Sequence, residues 1–264
     1  MKTPTWVCPI ISWTLSASVL YAENPARKEV VLPFFIESKI WEAGHADEWW
    51  THLSVFNPHP SETDVLVTIL DATGNTKRTA SLRVRGFQSG GLQNPVSENF
   101  TGWIKAAASE AIILRQQISH LEGQVGDTTV LSSKSHILLI PPVLTQRQFI
   151  HVGYDGSRNT NTGLAIVYPS GEKSSFTTGK LIFRWIDGRL VTEKTFTIAA
   201  NHQLVGLFTE FLPESLKFSQ FDLASGTVEV VFDKPVAVIA IQITVSGTYE
   251  EMGEPLSGRV ESAQ

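Results

Sequence analysis

The stretch "HADEWWTHLSVFNPHP", residues 45 to 60, gathers His45, Asp47, Glu48, His52 and His59. Zinc accepts a mixture of imidazole nitrogens and carboxylate oxygens, so these types can make a metal site. Their spacing argues against it. Period-two alternation puts His52 in mid-strand, with His45 in the loop before it and His59 in the turn after it. The ends of a seven-residue strand lie about 20 Å apart, too far for one ion. No H-E-x-x-H or comparable ligand spacing occurs in the chain.

The same stretch offers aromatic chemistry. Trp49 and Trp50 are adjacent in an extended segment and so point to opposite faces. Trp49 shares parity with Leu53 and Val55 and is expected in the core, whereas Trp50 shares parity with His52 and Ser54. An exposed Trp50, with His52 beside it and Trp41 in the loop "ESKIWEAGHADE", would suit the stacking of a sugar ring. The alternative is that these rings cover the edge of a core. A second candidate is "DGSRNTNTG", where Asp155, Ser157, Asn159 and Asn161 alternate oxygen-bearing side chains as a calcium loop does. It has one carboxylate, lacks Gly at its sixth place, and has Ile166 where a bidentate Glu would stand. A polar loop entering a strand accounts for it more simply.

Nucleophilic chemistry finds no motif. There is no G-x-S-x-G, and in "GFQSGG" the serine comes one place late. The only cysteine is Cys8, and neither a P-loop nor a dinucleotide fingerprint is present. No cofactor is expected.

The elements that carry these residues read as strands. "WTHLSVF", "DVLVTIL", "TASLRVR", "GWIKAAA", "AIILRQQI", "KLIFRWI", "TEKTFTIAA", "GTVEVVF" and "VAVIAIQITV" are rich in β-branched and aromatic residues and end at Gly, Pro or Asx turns. Only "HQLVGLFTEFLPESL" suggests a short helix, stopped by Pro213. Two halves repeat one order of strands. "THLSVFNP" lies on "TGLAIVYP", pairing Thr51 with Thr162, Leu53 with Leu164 and Val55 with Ile166. "VLVTILDATGN" lies on "LIFRWIDGR", pairing Asp71 with Asp187 and Gly74 with Gly188. "SLRV" lies on "TFTI", and "TGWIKAAASEAIILRQQI" on "SGTVEVVFDKPVAVIAIQI", with Gly102 on Gly226. The expected fold is all-β, with two tandem β-sandwich domains, immunoglobulin-like or jelly-roll-like, over residues 23–145 and 146–254. The paired prolines of "LLIPPVLTQRQ" mark the boundary.

The core "WTHLSVFNP…VLVTILDATGN" resembles a unit of uncharacterised secreted bacterial proteins, in which a Trp-Thr-x-Leu-x-Leu-x-Asn-Pro strand and turn precedes a hairpin with an Asp-x-x-Gly tip. A later strand resembling "GPVAVLAL" closes that unit, and the unit usually comes in tandem. In the second copy Tyr168 replaces the Asn and Asn161 stands in the place of the Trp. The resemblance implies a tandem β fold and export, and no activity.

Residues 1–22 read as a secretory signal. Lys2 precedes the apolar "WVCPIISWTLSASVL", "LYA" ends at Ala22, and polar "ENPARKE" follows. Cleavage there removes Cys8, so the mature chain has neither disulfide nor thiol. Residues 255–264 read as a flexible polar tail. Beyond the signal no apolar run is long enough to span a membrane. A formal net charge of -5 argues against a nucleic-acid partner. These features point to an exported, non-catalytic binding, adhesion or envelope-associated module, secreted or periplasmic, whose partner is a protein or glycan at the cell envelope. A sugar-binding protein and a two-domain periplasmic chaperone are the alternatives.

Overall fold

Alternation in the sequence becomes antiparallel ladders throughout. The computed structural model describes residues 26–260 except 43–44, 94–98, 125–129, 140, 158–159, 214, 217–222, 247–248 and 257–258. Side chains are described outside 40–47, 93–98, 120–138, 223 and 243–260. The first unit comprises β1 (Arg27–Glu42), β2 (His45–Phe56), β3 (Thr63–Asp71), β4 (Thr76–Val84), β5 (Ser89–Gln93), β6 (Phe100–Gln124) and β7 (Val130–Leu139). The second comprises β8 (Thr145–Asp155), β9 (Thr160–Val167), β10 (Phe176–Trp185), β11 (Leu190–Ala199), β12 (Gln203–Leu207), β13 (Leu223–Ser246) and β14 (Tyr249–Leu256), and β15 (Arg259–Val260) pairs with β8.

The strand order is β4-β3-β6-β1-β2-β5 in the first unit and β11-β10-β13-β8-β9-β12 in the second, which is the same order seven strands later. The outlying partners also correspond, β7 on β6 and β14 on β13. In the first unit β6 forms one layer with β1 and β3 through residues up to Ile112, then a second layer with β2 and β7 from Ile113 onward. β13 divides likewise, pairing β10 through Phe232 and β9 from Ala237. Thus "GWIKAAA" and "AIILRQQI" are not separate strands but one, as are "GTVEVVF" and "VAVIAIQITV", because a single long strand bends to serve both layers. A hydroxyl clamps each bend from the neighbouring strand: Thr63 Oγ1 lies 2.9 Å from Ser109 Oγ, and Thr177 Oγ1 donates to Asp233 at 2.5 Å.

The pairings explain the shared residues. Thr51 Oγ1 donates to the Ile36 carbonyl at 2.8 Å and Thr162 Oγ1 to that of Gly153 at 3.1 Å, holding β2 and β9 against the preceding strand. A Cβ on Gly102 would lie 2.0 Å from the Leu70 carbonyl oxygen, and one on Gly226 would lie 2.1 Å from that of Arg184, so both positions require glycine. Gly74 and Gly188 hold φ of 82° and 86° in matching turns. The match of Asp71 with Asp187 is corrected. Asp71 stands opposite Gly102, whereas Trp185 stands opposite Gly226, so Asp187 lies two residues farther into its turn. Each acid accepts turn N–H groups: Asp71 those of Thr73 and Asn75, Asp187 that of Arg189. The same local chemistry at two different places misaligned the sequences.

Three further readings change. "HQLVGLFTEFLPESL" holds strand β12 and a single 3-10 turn, Phe208–Phe211, rather than a helix. Residues 255–264 begin within β14 and include β15, so the ladders reach into the expected tail. β8 begins at Thr145, one residue ahead of the expected boundary.

Candidate functional site: a cleft between the two units

β2 has its two faces as the sequence reading placed them. Trp49, Thr51, Leu53 and Val55 are buried on one side; Trp50, His52, Ser54 and Phe56 are half-buried on the other. Trp50 stands opposite Ser119 of β6, and His52 opposite Gln117 of β6 and Gln93 of β5. Trp41 lies on β1 with its backbone opposite Ala46, and its side chain is outside those described. The structure therefore brings Trp50 and His52 together on one strand face.

The calcium candidates divide. Asp155 accepts both the backbone N–H and the hydroxyl of Ser157, at 3.0 and 2.6 Å, closing the turn after β8. Asn161 is buried and gives its amide to Thr209 Oγ1 at 2.8 Å, tying β9 to the 3-10 turn. Asn159 lies outside the described residues. Among the described residues no group of three His, Asp or Glu side chains could hold a metal ion.

The less expected feature arises where the units meet. On β9 and β13 both faces are buried: Ala165, Val167, Ala237, Ile239 and Ile241, the outward residues, pack against the first unit. Their counterparts by register in the first unit are Ser54, Phe56, Ile113, Arg115 and Gln117. The apolar version of this face is the one that packs between the units. Trp103, Val31 and Leu70 meet Val167 and Ala237 at the centre of the junction. Polar backbone groups complete it. The Gln203 N–H reaches the Ala72 carbonyl at 2.9 Å, and the Gln203 amide reaches the carbonyls of Pro33 and Gly102 at 2.7 and 3.1 Å. Pro33 sits in a β-bulge between Leu32 and Phe35, where the pairing of β8 with β13 is regular. The extra residue turns β1 toward the second unit.

Beside this junction lies a cleft of about 270 Å³. Phe34, Ile36 and Trp49 line it from the first unit; Leu164, Val205 and Ile241 line it from the second. Glu210 is the one ionisable side chain in the lining, and its Oε2 accepts the Leu207 N–H at 2.9 Å. The site is an apolar recess between two stacked sandwiches, with a carboxylate on its rim.

Reasoning from the sequence assigned Trp49 to the core but did not find the cleft. A signal was present: "LAIV" and "VAVIAI" are continuous apolar runs, whereas their counterparts "LSVF" and "IILRQQ" carry polar residues. Continuous runs belong to strands buried on both faces.

No family model and no curated protein matches this chain. A solved chain titled "anti-sigma factor domain-containing protein" aligns over 84% of this chain and 89% of its own, at 8% identity and a TM-score of 0.16. A likeness of that order carries no argument about function. Among the described residues no helix is long and apolar enough to cross a membrane.

Proposed function

We propose that this protein is an exported, non-catalytic binding module of the cell envelope, and that the cleft between its units takes an apolar group. The observation that supports binding is the lining: aromatic and aliphatic walls from both units with a single carboxylate. Its volume equals about nine waters at ~30 Å³ each, room for one or two apolar side chains or a small ring. Glu210 on the rim is held by the Leu207 N–H, which leaves the walls around it apolar. Export rests on the signal pattern of residues 1–22.

Nile red, a neutral probe of apolar recesses, tests the cleft. The full mature protein should shift its emission to the blue. Val205→Trp, which fills the recess from a half-exposed position, should abolish the shift with little change in Tm. An unchanged shift in that variant removes the cleft from the proposal. Mass spectrometry of exported protein should find Glu23 at the N-terminus; intact Met1 in the cytosol defeats the export reading.

A carbohydrate reading retains one supporting observation, the half-buried Trp50 and His52 side by side on one face of β2. Binding to a glycan array that falls on Trp50→Ala would favour it over the cleft.

A further inference from the structure

β12 is an edge strand, paired with β9 on one side only among the described strands. In an antiparallel strand alternate residues direct both their N–H and C=O to the same side. The N–H of Gln203 leaves the sheet for the Ala72 carbonyl of the first unit, and the N–H of Leu207 leaves it for Glu210 Oε2. The residue between them with the same parity is Val205, so its N–H and C=O also face away from β9. In the other direction, the N–H of Tyr168 reaches the His202 carbonyl, which fixes Leu204 and Gly206 as the residues bonded to β9. Both neighbours of Val205 along the open edge are thus capped from elsewhere in the chain. Val205 therefore has its peptide groups on the open edge, and it is one of the residues that line the cleft.

We propose that this edge is a strand-addition site: a short extended peptide pairs with Val205 through one ladder step and places an apolar side chain in the recess beside Val205, facing Ile36 and Trp49 of the first unit. The proposal rests on the cleft being a binding site and specifies what enters it. An extended backbone is the ligand that supplies both a donor and an acceptor at the ladder spacing. An acyl chain or a bare ring filling the same recess would strip water from the Val205 N–H and C=O and return no hydrogen bond. The capped flanks also limit the site. Ala72 blocks one end of the edge and Glu210 the other, about 13 Å apart for four residue steps, so a peptide of three to five residues fits and a long strand does not. Open edges ordinarily invite aggregation. Here the caps leave a single step, which suits recognition of a segment rather than growth of a sheet.

The test uses the full mature chain and a pool of acetylated, amidated pentapeptides that alternate threonine with valine, leucine, isoleucine or phenylalanine. Binding is followed by Nile red displacement and by the Val205 amide signal in NMR. The expected result is displacement, with a shift and slowed hydrogen exchange at the Val205 amide. N-methylation of the central peptide residue, which blocks ladder pairing and leaves side chains intact, should weaken binding at least about tenfold. Val205→Pro removes the edge N–H and should lower affinity, while Val205→Ala keeps it; should the proline variant misfold, the N-methylated peptides still decide. Equal binding of methylated and unmethylated peptides overturns strand addition, as does displacement with no change at Val205. If Nile red binds and no peptide displaces it, the cleft takes small apolar molecules and this inference alone fails. If Nile red does not bind either, both readings fail.

Discussion

The indole N–H of Trp103 in the first unit donates to the backbone carbonyl of Asn201 in the second, 3.1 Å away. Trp103 is fully buried, and its register counterpart in the second unit is the exposed Thr227. Asn201 holds φ at 62°, and its own amide bonds the Ser170 backbone in both directions, with donor and acceptor at 3.0 and 3.2 Å. A tolerated left-handed residue thus aims one carbonyl at one ring. Trp103→Ala should cost about 3–5 kcal/mol, the usual penalty for a buried aromatic. Trp103→Phe keeps much of the packing but orphans the carbonyl, and should cost about 1–3 kcal/mol. Urea unfolding checks both. If the ring couples the units, the alanine variant should also separate one transition into two.

A glycine pair isolates the same junction. Gly74 and Gly188 share a turn conformation, so alanine at either site strains the backbone by a similar amount. Their surroundings differ. A Cβ on Gly74 would lie 2.7 Å from the Asn201 carbonyl oxygen, whereas one on Gly188 meets nothing within 4 Å. Gly188→Ala should cost about 1 kcal/mol from backbone strain alone. Gly74→Ala should cost more, because it also separates the hairpin tip from Asn201. Equal losses in thermal unfolding would mean that the tip does not support the junction.

How much of this was legible depends on which face a residue serves. Inward residues of β2 could be read because polar residues alternate with them, as His52 and Ser54 do with Thr51, Leu53 and Val55. Gly102 and Gly226 could be matched because each is forced by a neighbouring carbonyl, a local demand that repeats with the fold. The cleft was hidden because it is made by unlike faces of two like units. Phe34 reaches it through a bulge present in β1 and absent from β8, and no periodicity announces such an insertion. Asp71 and Asp187 misled because aspartate caps turns at more than one position.

The two neighbouring tryptophans of β2 should respond differently to truncation. Trp49 is 8% exposed and packs with Leu53, Val55 and Ile118 in the core of the first unit, so Trp49→Ala should cost about 3–5 kcal/mol. Trp50 is half-buried on the opposite face, and its loss should cost markedly less. Chemical denaturation measures both. Because Trp49 also lines the cleft, its milder variant Trp49→Phe should weaken Nile red binding, while Trp50→Phe should leave it unchanged.

Glu37 makes stability depend on pH. Its carboxylate is buried at the corner where β1 passes from β6 to β2, and its Oε1 accepts the Thr51 N–H at 3.0 Å. Burial raises its pKa from 4.5 to about 7, and the Thr51 bond offsets only part of that rise. Below pH 4.5 the group is protonated in both folded and unfolded chains and costs nothing. As pH rises from there toward 7, the unfolded chain releases a proton that the folded chain retains, so stability falls; above 7 the loss is complete. At about 1.4 kcal/mol per pKa unit the whole effect is on the order of 3–4 kcal/mol. Asp71, Asp187 and Asp233 are shifted the other way, by hydrogen bonds from their turns and strands, and their stabilisation is lost only as pH falls below the ordinary carboxylate range. Glu37→Gln separates the two effects, since the amide oxygen can still accept the Thr51 N–H but does not ionise. The wild type should lose stability between pH 4.5 and 7 relative to the variant, which should be the more stable protein at pH 8. Parallel urea titrations of the two proteins across that range would show a constant difference if Glu37 ionised as freely in the folded chain as in the unfolded one.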